Sequence, residues 1–291
     1  MMREIALYGR KVEDLHRTAV IDFVAKLKLE GFGIWCNQAL LETEGFDLSD
    51  AQAFDHGDEL PETVEFILSI GGDGTLLDAT VFTRNFTIPI LGLNTGRLGF
   101  LAALASSDLR SAVKPILEKN YDFEERAMLT LETTDGLFGD LNFALNELTL
   151  HKKNTSSMIK IDAKIGDEFL NFYWADGLII STPTGSTAYS LSCGGPIIMP
   201  GSDNFVITPI APHNLNVRPI VVPDNREIRL NVEGRDESFL VSLDSRSESI
   251  EAGAELIVRL SQKKLKLVAL PGYSYLKTIR KKLNWGLDIR N

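Results

Sequence analysis

Three glycines bracket one aspartate in Gly71-Gly72-Asp73-Gly74-Thr75, directly after the apolar run Ile67-Leu68-Ser69-Ile70. Glycine lets a backbone take positive φ and approach a ligand closely. A helix that opens after such a turn offers unpaired N–H groups to phosphate. Asp73 is then placed to orient or deprotonate an attacking hydroxyl, with Gly72 and Gly74 beside it. The motif lacks the lysine of a Walker loop and the spacing of a dinucleotide fingerprint, so it is neither.

Four further stretches carry polar chemistry. Leu91-Gly92-Leu93-Asn94-Thr95-Gly96-Arg97-Leu98-Gly99-Phe100-Leu101 follows the next apolar run and is again rich in glycine. Asn146-Glu147 places an amide beside a carboxylate, a pair that can satisfy two ribose hydroxyls. Read alone, the pair is better taken as two ordinary surface residues of a strand. Asp176 to Pro196 runs from a strand into a loop crowded with hydroxyls and glycine, with Tyr189 as an amphipathic surface for a base or ribose. Leu243-Asp244-Ser245-Arg246 reads as a ligand contact or as a plain turn.

The elements that must position these residues fall into two patterns. Up to about residue 120, short apolar runs alternate with helical stripes. Strands are expected at Ile5–Tyr8, Gly33–Cys36, Glu65–Ile70 and Ile88–Leu93, with helices at Asp14–Leu29, Thr75–Phe82 and Ser107–Leu117. This alternation predicts an α/β N-terminal domain with a parallel sheet. From Met128 onward the period falls to two, as in Ile159, Ile161, Ala163 and Ile165, before a Gly166-Asp167 turn into Phe169–Trp174. Further strands are expected at Leu141–Leu150, Gly177–Ser181, Phe205–Pro209, Ile220–Val222, Glu227–Val232, Phe239–Leu243, Glu255–Leu260 and Lys264–Leu270. They predict an all-β sandwich C-terminal domain. Ser274–Leu283 carries Tyr275, Leu276, Ile279 and Leu283 on one face and reads as a closing helix. The expected division is 1–120 joined by 271–291, and 121–270.

Composition narrows the classes. Across 291 residues, 30 basic side chains oppose 40 acidic ones, a formal net charge of −10. That balance argues against nucleic acid as a partner. No run of 18 apolar residues suggests a membrane span, and the N-terminus lacks the apolar core of a signal peptide. Cys36 and Cys193 are the only cysteines, which excludes a disulfide framework and fits a reduced, cytoplasmic setting. His16, His56, His151 and His213 form no zinc-ligand spacing.

Taken together, the five stretches resemble the NAD kinase family over nearly the whole chain, from about Ile5 to Trp285. The glycine–aspartate turn is shared with lipid kinases and has a close relative in phosphofructokinases. The Asn146-Glu147 pair and the Asp176–Pro196 stretch are more specific to NAD kinases. The resemblance implies transfer of the ATP γ-phosphoryl group to the 2′-hydroxyl of the adenosine ribose of NAD, with Mg²⁺ or another divalent cation and no identified metal ligands. It implies Asp73 as the catalytic carboxylate, with Gly74 near the same nucleotide. Leu98, Gly99 and Phe100 would line the adenine side, and Asn146 and Glu147 the ribose and phosphate region. Asp176 would meet the dinucleotide across a subunit contact in a homodimer or homotetramer, and Thr187, Ala188, Tyr189 and Ser192 would run along its two ends. It implies that the C-terminal helix returns to the first domain.

Two positions depart from the family pattern. Trp174 stands where some bacterial members carry arginine, and Arg246 where several carry glutamine. Arg246 is thereby a candidate to meet the new 2′-phosphate. A lipid kinase and a non-catalytic NAD sensor are the competing readings. The polar loop Thr182–Ser192 opposes the first and an intact Asp73 the second.

Overall fold

Strand Arg3–Tyr8 (β1) buries Ile5, Ala6 and Leu7 completely, as a central strand covered on both faces must. The computed structural model describes residues 2–48, 50–83, 87–96, 98–102, 104–153, 158–234 and 238–286. Arg97, part of the second glycine-rich stretch, lies outside them. The chain forms two compact units, residues 1–125 with 265–291 and residues 126–264.

In the first unit, β1 is followed by α1 (Asp14–Leu29), β2 (Phe32–Asn37), α2 (Gln38–Leu41) and β3 (Gln52–Phe54). Then come β4 (Val64–Gly71), α3 (Asp73–Thr83), β5 (Ile90–Asn94), β6 (Leu104–Ala105) and α4 (Leu109–Leu117). The sheet order is β3-β2-β1-β4-β5, all parallel, with β6 parallel to β5. The α/β architecture read from the alternation is therefore present. Its core joins Ile5, Leu7, Phe66, Leu68 and Ile70 of the sheet to Phe23, Val24 and Leu27 of α1. The helix expected from Ser107 begins at Leu109 after a 3₁₀ turn over Ser106–Asp108.

The chain passes into the second unit along β7 (Asp122–Glu132) and continues through β8 (Phe143–Ala144), β9 (Glu147–Lys152), β10 (Ile159–Ile165), β11 (Glu168–Ala175) and β12 (Gly177–Ser181). After α5 (Tyr189–Ser192) follow β13 (Asn204–Ile210), β14 (Ile220–Pro223), β15 (Ile228–Glu233), β16 (Ser238–Leu243) and β17 (Arg246–Glu251). β18 (Glu255–Ala269) leads back to the first unit, where α6 (Tyr275–Leu283) closes the chain.

Within the second unit, one antiparallel layer runs β14-β13-β12-β9-β16-β17. The other contains β11-β10-β15-β18, also antiparallel. Leu148, Leu150, Leu178 and Ile180 from one layer meet Ile159, Ile161, Leu230 and Val258 from the other in a single core. That is the expected sandwich.

Two strand expectations need correction. Leu141–Leu150 is not one strand, because β8 ends at Ala144 and β9 begins at Glu147. A side chain rather than a neighbouring strand takes the amides between them. Glu255–Leu260 and Lys264–Leu270 are one strand of 15 residues. No Gly or Pro interrupts Ser261-Gln262-Lys263, so nothing breaks the extended backbone there.

Candidate active site

The Asp73 carboxylate stands at the start of α3 and is held by backbone. Its Oδ2 accepts the Phe100 N–H at 2.8 Å, and its Oδ1 accepts Leu101 N–H at 3.0 Å and Ala102 N–H at 2.9 Å. Gly99 is obligatory beside it, since a Cβ there would come within 1.9 Å of Asp73 Oδ1. The glycines of the turn divide by role. Gly71 has φ +157°, and a Cβ on it would strike Thr75 Oγ1 at 2.1 Å. Cβ atoms on Gly72 or Gly74 would meet no atom within 4 Å. The fold itself therefore requires Gly71, whereas Gly72 and Gly74 keep open the space in front of the helix N-terminus, where phosphate is favoured.

The 98–102 segment is braced from behind by α6. Lys282 Nζ donates to the Leu98 carbonyl at 2.7 Å and lies 4.9 Å from the Phe100 ring centroid. Tyr275 packs 6.5 Å from the same ring. These contacts bring Asp73, Leu98, Gly99 and Phe100 together within the first unit.

In the second unit, Leu145-Asn146-Glu147 is bonded on both sides. Leu145 N–H donates to Asp244 Oδ2 at 2.8 Å, and Asn146 and Glu147 N–H donate to Oδ1 at 2.8 and 3.2 Å. On the other side the Thr182 hydroxyl donates to the Leu145 carbonyl at 2.6 Å and the Thr182 N–H to the Asn146 carbonyl at 2.9 Å. Gly185 packs against that carbonyl so closely that a Cβ would sit 2.1 Å from it. The Tyr189 N–H donates to the Glu147 carboxyl, whose Oε2 is buried without a hydrogen-bond partner. Burial, and then the neighbouring Asp244 charge, push the Glu147 carboxyl up to about 8. Tyr189 is 41% exposed, an aromatic face open to a ligand.

Two profiles match the chain: the ATP-NAD kinase N-terminal domain over residues 51–121, and the ATP-NAD kinase C-terminal domain over residues 145–270. The NAD kinase of Flavobacterium johnsoniae is 50% identical over 293 aligned residues, covering 99% of this chain and 100% of that protein. The chain belongs to the NAD kinase family. The NAD kinase of Cytophaga hutchinsonii is 53% identical over 78% of this chain and 78% of its own length. Yeast NADH kinase, solved with NADH, shares the fold at a TM-score of 0.86 and 23% identity, over 99% of this chain and 89% of its own. An Archaeoglobus fulgidus NAD kinase solved with ATP aligns at a TM-score of 0.73 and 24% identity, over 97% of this chain and 98% of its own.

Against the NAD kinase pattern, the remaining candidates divide. Thr187, Ala188 and Ser192 flank Tyr189 along the 3₁₀ turn and short helix after Thr184. Asp176 lies between β11 and β12 and pairs with Lys152 Nζ at 2.5 Å. Arg246, the candidate for the new phosphate, is tied to backbone through two of its guanidinium nitrogens. Its guanidinium donates to the Leu141 and Phe143 carbonyls and lies over the Phe143 ring, 5.0 Å from the centroid. Burial pushes its pKa down, opposed by Asp244. In the sequence the Asp244-Ser245 dipeptide reads equally as a turn or as a ligand contact, with nothing to mark Asp244 as a support for another segment. Its only local signal is its place in a two-residue connection between β16 and β17.

Proposed function

We infer that this member of the family phosphorylates NAD with ATP, and that the acceptor is the 2′-hydroxyl of the adenosine ribose. The observation that carries the reading is Asp73: a carboxylate fixed by three backbone amides, beside two glycines that the fold does not need for its own packing. Phosphoryl transfer asks for positioning and charge neutralisation more than covalent help. A rigid acceptor at Asp73 aligns the ribose hydroxyl and receives its proton as the bond to phosphorus forms. Asn146 and Glu147 hold the dinucleotide's ribose and phosphate region, and Tyr189 packs along its base.

Mg²⁺ enters as the ATP complex. Among the described residues no three His, Cys, Asp or Glu side chains converge on a cation site. We also propose association into a homodimer or homotetramer. The supporting feature is β11, an edge strand exposing Phe169, Phe172 and Trp174. An apolar strand at the edge of a sheet is a template for the same strand of a second copy. Two unpaired cysteines are consistent with a cytoplasmic protein. Among the described residues, no helix is long and apolar enough to cross a membrane.

The deciding experiment is formation of NADP from NAD, ATP and Mg²⁺ by purified protein, coupled to an NADP-specific dehydrogenase. NAD binding by calorimetry without turnover would replace this reading with that of a sensor. Phosphorylation of dispersed diacylglycerol instead of NAD would replace it with that of a lipid kinase.

A further inference from the structure

The Asp244 side chain stands where a neighbouring strand would be. It accepts the amides of Leu145, Asn146 and Glu147, and its own N–H donates to the Glu147 carbonyl at 3.1 Å. With Thr182 on the Leu145 and Asn146 carbonyls, two residues satisfy all six backbone groups of the segment. Asp244 does this from φ +53°, a left-handed backbone that favours glycine. Glycine would relax the turn but supply no acceptor, and three amides would then lose their partner. The carboxylate also faces the Glu147 carboxyl in a desolvated setting.

We propose that Asp244 is a positioning residue for the Asn146–Glu147 pair, acting on the substrate only through the backbone it holds and the charge it places beside Glu147. The proposal rests on reading that pair as dinucleotide contacts. Two carboxyl groups in one desolvated pocket do not both ionise. Asp244 is the anionic member, because three amides solvate its charge. Glu147 keeps its proton near neutrality and presents an O–H donor to NAD instead of a second negative charge facing the pyrophosphate. Cys193 and Tyr189 are the titratable side chains that feel the Glu147 charge; burial raises both, and they are neutral in the same range. Burial pushes Asp244 upward as well, against the pull of its three amide bonds and of the Arg246 charge.

The test compares wild type, Asn146→Ala and Asp244→Asn by steady-state kinetics, varying NAD and ATP separately across neutral and alkaline pH. Asn146→Ala reads the pair itself and is expected to raise KM for NAD. Asp244→Asn is expected to raise KM for NAD by about tenfold or more, and to leave KM for ATP within about twofold. It should also move the alkaline fall of kcat/KM for NAD to lower pH, because Glu147 ionises earlier once the neighbouring charge is gone. A support with no electrostatic role would not move that limb. An unchanged KM for NAD in Asn146→Ala overturns the underlying reading and the proposal with it. A raised KM in Asn146→Ala with KM and pH profile unchanged in Asp244→Asn overturns the proposal alone. Should Asp244→Asn not fold, infrared spectra of the wild type decide. A protonated-carboxyl band at neutral pH that Glu147→Gln removes supports the proposal, and its absence overturns it.

Discussion

Asp73 and Glu147 are both carboxylates, but their surroundings assign them opposite duties. Asp73 is ringed by amide donors and is built to accept. Glu147 is half-buried, with its Oε2 inaccessible, beside a second acid and is built to keep its proton. Asp73→Asn is therefore expected to lower kcat by about 10²-fold or more, with NAD still binding by calorimetry. It should also destabilise the fold by roughly 1–3 kcal/mol, because an amide cannot accept from three N–H groups with both of its ends. Denaturant unfolding of the variant measures that second effect. For Glu147, native protein keeps a proton that the unfolded chain releases from about pH 4.5, the ordinary carboxyl range, up to about 8. Its contribution to stability is full below that window, falls as pH rises through it, and is gone above it. Glu147→Gln should flatten the stability profile between those limits by roughly 5 kcal/mol. An unfolding series across the window that superimposes on wild type would contradict this.

At the scale of elements, the glycines separate what folding requires from what a ligand requires. Gly99→Ala should displace the Asp73 carboxylate, because the new methyl would occupy its Oδ1 position. The expectation is a fall in kcat of about tenfold or more with the fold retained, checked by steady-state rates beside circular dichroism. Gly74→Ala meets open space in this structure. Thermal unfolding should barely move, or rise slightly, while KM for nucleotide increases because the methyl stands where phosphate approaches. An unchanged KM for nucleotide in Gly74→Ala would show that the open space is not reserved for a ligand. The elements also explain which strand readings failed. Period-two alternation located most strands of the second unit because each has one buried face. It could not detect that Leu145 and Asn146 leave the ladder, since the acceptor that draws them out lies about 100 residues further along the chain.

At the scale of the molecule, the two units have separate cores, one between α1 and the parallel sheet and one between two antiparallel layers. Any ligand that binds only folded protein stabilises it by mass action, so NAD at about 100 times its Kd should add about 2.7 kcal/mol. A thermal-shift titration measures it, and Asp244→Asn should need about tenfold more NAD for the same shift. Light scattering against dilution tests assembly, with replacement of Phe172 and Trp174 by charged residues expected to shift the mass toward 32.2 kDa. What the sequence determined by itself is the class of each unit and the location of its polar loops. Periodicity and glycine spacing are local properties, and the order of the motifs carries the family resemblance. Tertiary structure alone decided the partners. It gave Asp73 to the amides of 100–102, turned Arg246 onto the Leu141 and Phe143 carbonyls, and brought Asp244 to the Asn146–Glu147 backbone. A carboxylate shows its charge in one dimension, but which amides solvate it depends on segments that only folding brings within 3 Å or so of each other.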